Sequence, residues 1–307
     1  MRVRLVRAIN YFIGLSAVYL ILCIILPINT SNQHLYNLTN SSYHILQGVL
    51  AVPLIAIWFA AFFGYAKLKQ YADSLKGSEE SKSYNLLARG CMWLAWGLPV
   101  LSIASLLLNS LSYTHPHHYQ AASIILSNYI NILIPLIAFS ILSSGSRKLL
   151  EQFKQHLTSN GTKLIVLLFV AIAVGYCYLI FRPINLVSMT LSTSPYYLPI
   201  WLVIITVTIP SLYTWLIGIL SAGEIARYGQ KASGLLYRQA FQSISLGIIA
   251  VIAGSIAYQY VTTIDPTLNQ TSLDYLLFST YIIRIMSAFG FIAIANGAIK
   301  LKRIEEV

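Results

Sequence analysis

Charge is what this sequence has least of. Only 9% of its 307 residues are Asp, Glu, Lys or Arg, where a soluble domain carries about 25%. A water-facing fold of this length could not cover its surface with so little charge, whereas a lipid-facing exterior needs none. With 57% hydrophobic residues and a mean hydropathy of +0.70, the chain reads as an all-α integral membrane protein.

Acidic groups are the scarcest. There are nine Asp and Glu residues, and Asp73, Glu79, Glu80, Glu151, Glu224, Glu305 and Glu306 lie in or beside Lys-rich connections. The apolar segments therefore hold no pair of carboxylates for acid–base work. The sequence also has no phosphate-cradling glycine loop, no HExxH and no nucleophile elbow. No catalytic residue is assigned, and a non-enzymatic role is expected.

Cysteine is nearly absent. Cys23, Cys91 and Cys177 each sit alone in an apolar segment, which supports neither a disulfide framework nor a zinc site. No histidine falls inside a predicted span, which argues against a haem held between helices by imidazoles. His115, His117 and His118 cluster in a predicted outer loop. A His-rich tract is a weak zinc or copper candidate; with no Cys, Asp or Glu nearby, a solvated loop is the expected reading. No cofactor is expected.

What is present is apolar sequence in long runs. Spanning about 30 Å of hydrocarbon takes about 20 residues, and eight runs qualify: 8–28, 46–66, 90–110, 121–144, 164–181, 198–220, 239–262 and 275–298. The 21 tyrosines include several near span ends, such as Tyr43, Tyr65, Tyr119, Tyr196, Tyr197 and Tyr275, where amphipathic rings suit the headgroup level.

The net charge of +11 is a topology signal, not a nucleic-acid footprint. All Lys and Arg except Arg182 and Arg284 sit at the termini or in every second connection. By the positive-inside rule both termini and the even connections are cytoplasmic, and a plasma membrane location is expected. The first run has a basic start but no small-residue cleavage site, so it reads as a retained helix and not a signal peptide. Asn29, Asn37, Asn40 and Asn269 begin glycosylation sequons in predicted outer loops, and Asn160 begins one in an inner loop.

Internal matches point to a duplication. Pro27-Ile28-Asn29 recurs as Pro183-Ile184-Asn185, and Pro53, Trp58 and Tyr71 recur as Pro210, Trp215 and Tyr228. Leu86-Leu87-Ala88-Arg89 returns as Leu235-Leu236-Tyr237-Arg238. Ser127, Tyr129, Phe139, Gly145 and Lys148 match Ser279, Tyr281, Phe291, Gly297 and Lys300. The offsets, 156, 157, 149 and 152, change only in loops. The expected architecture is two tandem four-helix repeats, 1–160 and 161–307, in parallel orientation because each has an even number of helices. A fainter two-helix repeat pairs Arg7 and Pro53 with Arg89 and Pro135. Small residues four apart, among them Ala56, Ala60 and Gly64, let helices approach closely.

Arg284 stands out. It lies about nine residues into the last run, about 14 Å deep, where insertion scales put the cost of an arginine at about 2.5–3.5 kcal/mol. Thr280, Tyr281 and Ser287 share its helix stripe, and the matching helix carries Asn128 and Asn131. These six residues are the expected binding centre for an anion or polar solute, or for an acidic residue of a partner subunit. The competing expectation is a purely structural arginine that ties the bundle together. Glu224, near the end of the sixth run, is expected to pair with a nearby cation such as Arg227.

Two roles follow as expectations: small-solute or ion transport at the interface of the repeats, or a non-catalytic accessory subunit of a membrane assembly. The expected partners are the lipid bilayer and membrane protein subunits, with no nucleic acid.

Overall fold

The computed structural model describes residues 2–25, 40–114, 116–151, 208–231, 234–263 and 273–305, with isolated positions between 163 and 174. Within these residues the elements are helices without strands: α1 (Arg2–Ile25), α2 (Asn40–Ser74), α3 (Glu79–Thr114), α4 (Pro116–Glu151), α5 (Ile209–Lys231), α6 (Leu235–Thr263) and α7 (Leu273–Glu305). Six carry stretches long and apolar enough to cross a membrane: Ala51–Ser74, Glu80–Ala104, Leu133–Glu151, Ile209–Lys231, Leu235–Ala257 and Tyr281–Leu301. The first expected span forms α1, whose apolar part, Ile9–Cys23, is shorter. Most of the fifth, 164–181, lies outside the described residues, so six spans stand where eight were expected.

Helices α2, α3, α4 and α7 run to 33–36 residues. At 1.5 Å per residue each measures about 50 Å, so their ends project beyond a hydrocarbon core about 30 Å thick. Their outward faces are apolar, with Val52 and Phe59 on α2, Leu246 on α6, and Ile285, Phe289 and Ile292 on α7 all exposed. Such a surface is consistent with insertion into a bilayer. Pro53, Pro99 and Pro135 lie inside α2, α3 and α4, as membrane helices tolerate better than soluble ones.

The helices close into a ring. Each of α2 to α7 packs against the next, α7 returns to α2, and α1 lies outside against α2 and α3. The closest pairs are α3 with α4 and α6 with α7, and glycine explains both. A Cβ added at Gly90 of α3 would stand 2.9 Å from the Ala138 carbonyl of α4 and 2.5 Å from Leu142. One at Gly247 of α6 would stand 2.5 Å from the Gly290 carbonyl of α7. Backbones approach this closely only where no side chain intervenes.

The connections from α2 to α3 and from α5 to α6 share a local geometry. Gly77 and Gly234, each three residues past a helix end, adopt positive φ of 99° and 118°, open to glycine without steric cost. Aromatic pairs lock both joins: Tyr71 meets Tyr84 at 4.8 Å between ring centroids, and Tyr228 meets Phe241 at 4.7 Å, both edge to face.

One expected match does not fit these contacts. Leu87 of α3 packs on Gly145 of α4, but the α6 residue that packs on Gly297 of α7 is Ile244, not Leu236. Leu87 and Ile244, which make like contacts, are 157 residues apart, as are Tyr84 and Phe241, whereas the Leu-Leu-x-Arg match has a separation of 149.

Candidate functional site

Helices α4 and α5 run side by side in the same direction. A Cβ on Gly218 would stand 3.2 Å from Phe139, and two turns further on Ser146 reaches Glu224, so the contacts advance together along both chains. Gly145, against Leu86 and Leu87, seats this end of α4 on α3 and turns Ser146 towards α5.

Glu224 is the buried charge of this interface. Its side chain is 9% exposed, and the Ser146 hydroxyl donates to its Oε2 at 2.5 Å. Arg147 Nε lies 3.9 Å from Oε1, with the Arg147 side chain 65% exposed. A carboxylate removed from water needs such partners. Serine hydroxyls line the neighbouring backbone: Ser221 donates to the Ile217 carbonyl at 2.7 Å and Ser245 to the Ala222 carbonyl at 2.8 Å. The expectation that Glu224 pairs with a cation holds, but the cation at 3.9 Å is Arg147 of the neighbouring helix.

Beside this pair lies a cavity of about 400 Å³. From α4 it is lined by Ser140, Ser143, Ser144, Arg147, Lys148 and Glu151, and from α5 by Tyr213 and Ile217. Ser140, Ser143, Ser144, Arg147 and Lys148 recur at helical spacing, which places them on one face of α4. Ser144, Arg147, Lys148 and Tyr213 are exposed, so the cavity opens outward as a groove. Its polarity is graded: Tyr213 and Ile217 occupy one end, serines the middle, and two cations with Glu151 the other.

The residues predicted from sequence as a binding centre are only partly described. Arg284 is half-buried on α7, within electrostatic reach of Tyr19 on α1. Tyr19 is bonded to Cys23 one turn on and packs edge to face on Trp58 of α2 at 5.1 Å. Ser287 serves packing: it donates to the Ile283 carbonyl at 3.1 Å, and a Cβ on Gly254 of α6 would stand 2.5 Å from its hydroxyl. Tyr281 is half-buried. The side chains of Thr280, Asn128 and Asn131 lie outside the described ones, as do His115 as a whole and the side chains of His117 and His118. Among the described residues no group of three or more His, Cys, Asp or Glu side chains is placed to hold a metal ion.

Sequence reading missed the groove. The signal was there in Ser140, Ser143, Ser144 and Ser146 immediately before Arg147-Lys148, a hydroxyl ladder ending in charge. Its meaning depends on α5 lying alongside α4, which spacing alone does not reveal. The chain matches no protein-family model, no curated protein and no solved structure.

Proposed function

We propose that this is a transport-type membrane protein made of two tandem, parallel four-helix units, 1–160 and 161–307, that binds a small polar ligand where the units meet. The carrying observation is Glu224, a carboxylate of the second unit buried at the join and bonded to Ser146 of the first, beside a groove of about 400 Å³. A pocket of that volume suits a small molecule. A buried ionisable group beside a groove is a functional-site candidate.

The ring order supports the duplication, since α2, α3, α4 and α5, α6, α7 follow one another with the same neighbours. Gly90 and Gly247 make matching contacts, as do Gly145 and Gly297, and Trp58 and Trp215 are both fully buried. The corresponding α7–α2 interface is not a copy of the α4–α5 one. Counting by the same separations, Ala298 stands for Ser146 and Lys67 for Glu224. The carboxylate therefore belongs to one interface, as expected of a working site in a duplicated scaffold. The groove opens at the basic helix ends, placed in the cytoplasm by the positive-inside rule. Arg284, facing Tyr19, serves in this reading to tie α1 to the ring.

The test is a ligand screen on the full chain purified in mild detergent, read as thermal stabilisation. The expected result is a small polar ligand that raises the unfolding temperature of the wild type but not of Ser144→Trp, whose side chain fills the groove. A stoichiometric membrane subunit that co-purifies, with no stabilising ligand, would overturn this reading in favour of an accessory role.

A further inference from the structure

The groove's graded polarity carries its ligand class further. Resting on the reading of the α4–α5 groove as a binding site, we propose that it takes the phosphate headgroup of a membrane amphiphile, with the chains leaving along Tyr213 and Ile217.

Arg147 and Lys148 offer only donors to an anion's oxygens, the serine hydroxyls can donate or accept, with Ser144 donating to the Ser140 carbonyl at 3.0 Å, and Glu151 is the one carboxylate of the lining. The lining residues carry two positive charges and one negative; Arg147 shares its charge with Glu224, so the attraction for a phosphate comes from the charged donors of Arg147 and Lys148 and not from net charge. Ser140 to Lys148 covers about 12 Å at 1.5 Å per residue, the reach of a headgroup and its linkage. A soluble phosphate would be served by the charged end alone. It would gain nothing from Tyr213 and Ile217, which lie in the apolar first half of α5, Tyr213 being 55% exposed. An apolar, aromatic end and cations at the polar end together match an amphiphile's own gradient. Arg147 serves twice in this arrangement: its guanidinium neighbours Glu224 and remains exposed enough to meet a phosphate oxygen, as guanidinium groups do well.

The experiment measures binding of dioctanoylphosphatidylglycerol to the full chain in a nonionic detergent, by titration and by native mass spectrometry of the retained lipid. Two further probes separate the sources of affinity: dioctanoylglycerol, which lacks phosphate, and glycerol 1-phosphate, which lacks chains. The expected result is saturable binding of one phospholipid, weakened about tenfold in Arg147→Gln/Lys148→Gln, with both partial probes at least tenfold weaker. Lys67→Gln/Lys300→Gln removes two charges from other helix ends and is expected to leave the affinity unchanged. Should the Arg147→Gln/Lys148→Gln protein not fold, Lys148→Gln alone keeps the Glu224 contact and is expected to lose about threefold. Equal losses in the two double variants would reduce the effect to general surface charge and overturn the proposal. Dioctanoylglycerol binding as tightly as the phospholipid would overturn it too. Glycerol 1-phosphate binding that tightly, and blocked by Ser144→Trp, would refute the amphiphile while leaving the groove a solute site. The broader reading falls if Ser144→Trp alters no ligand at all.

Discussion

Ser146 of α4 donates a hydrogen bond to Glu224 of α5, 78 residues later in the chain, at 2.5 Å. Both residues are buried, and Arg147, which neighbours Glu224, lines the groove beside them. What the bond is worth decides how the join behaves.

Ser146→Ala removes the donor and leaves the carboxylate buried. Hydrogen bonds to charged groups contribute about 1.5–3 kcal/mol, and a loss of that size is expected in detergent unfolding. Glu224→Gln keeps an acceptor for Ser146 and removes the charge, so it is expected to cost less than about 1 kcal/mol. In the double variant Ser146→Ala should cost less than it does alone, because no buried charge is left uncompensated. Strict additivity of the two substitutions would show that they do not interact.

How far the fold could be read from sequence follows from which forces are local. Span positions were legible because crossing hydrocarbon demands a long apolar run, whatever lies beside it. The run that became α2 was expected at 46–66, inside the observed Asn40–Ser74; the projecting turns are polar and carry no hydropathy signal. The groove was not legible, because it depends on a contact between helices 78 residues apart. Arg284 could be picked out as a lone charge, but its neighbour Tyr19, from α1, could not.

Glycine at the tight joins is required by space. At Gly247 a Cβ would stand 2.5 Å from the Gly290 carbonyl and 2.9 Å from the Ile294 nitrogen. Backbone does not give way as a side chain does, so Gly247→Ala is expected to cost about 2 kcal/mol. At Gly14 nothing lies within 4 Å, and alanine there should be neutral or stabilise by up to about 1 kcal/mol. Unfolding midpoints of the two variants check the contrast, and equal effects would contradict the packing of α6 on α7.

Trp58 and Trp215 are both buried and differ in hydrogen bonding. Trp215 Nε1 donates to Ser255 Oγ at 3.3 Å, whereas Trp58 Nε1 is buried with no hydrogen-bond partner among the described residues. Replacement by Phe removes similar volume at both sites. Trp215→Phe additionally loses a bond worth about 1 kcal/mol and is expected to be the more destabilising by that amount in thermal unfolding.

Cysteines in place of Ser146 and Glu224, in a chain with Cys23, Cys91 and Cys177 replaced by Ala, should be joined by a thiol crosslinker with a two-carbon spacer, which makes up for Cys being shorter than the Glu that reaches Ser146. After denaturation in SDS the crosslinked pair is expected to resist a polyethylene glycol maleimide that labels each single variant. Full labelling of the treated pair would place α4 and α5 apart.

The most direct test of the proposed ligand groove between α4 and α5 is the labelling rate of Ser144→Cys in that cysteine-free chain, with and without dioctanoylphosphatidylglycerol. The account predicts ready reaction with a maleimide in the empty protein and at least a tenfold slowing at saturating lipid. A rate that no amphiphile or solute changes would contradict it.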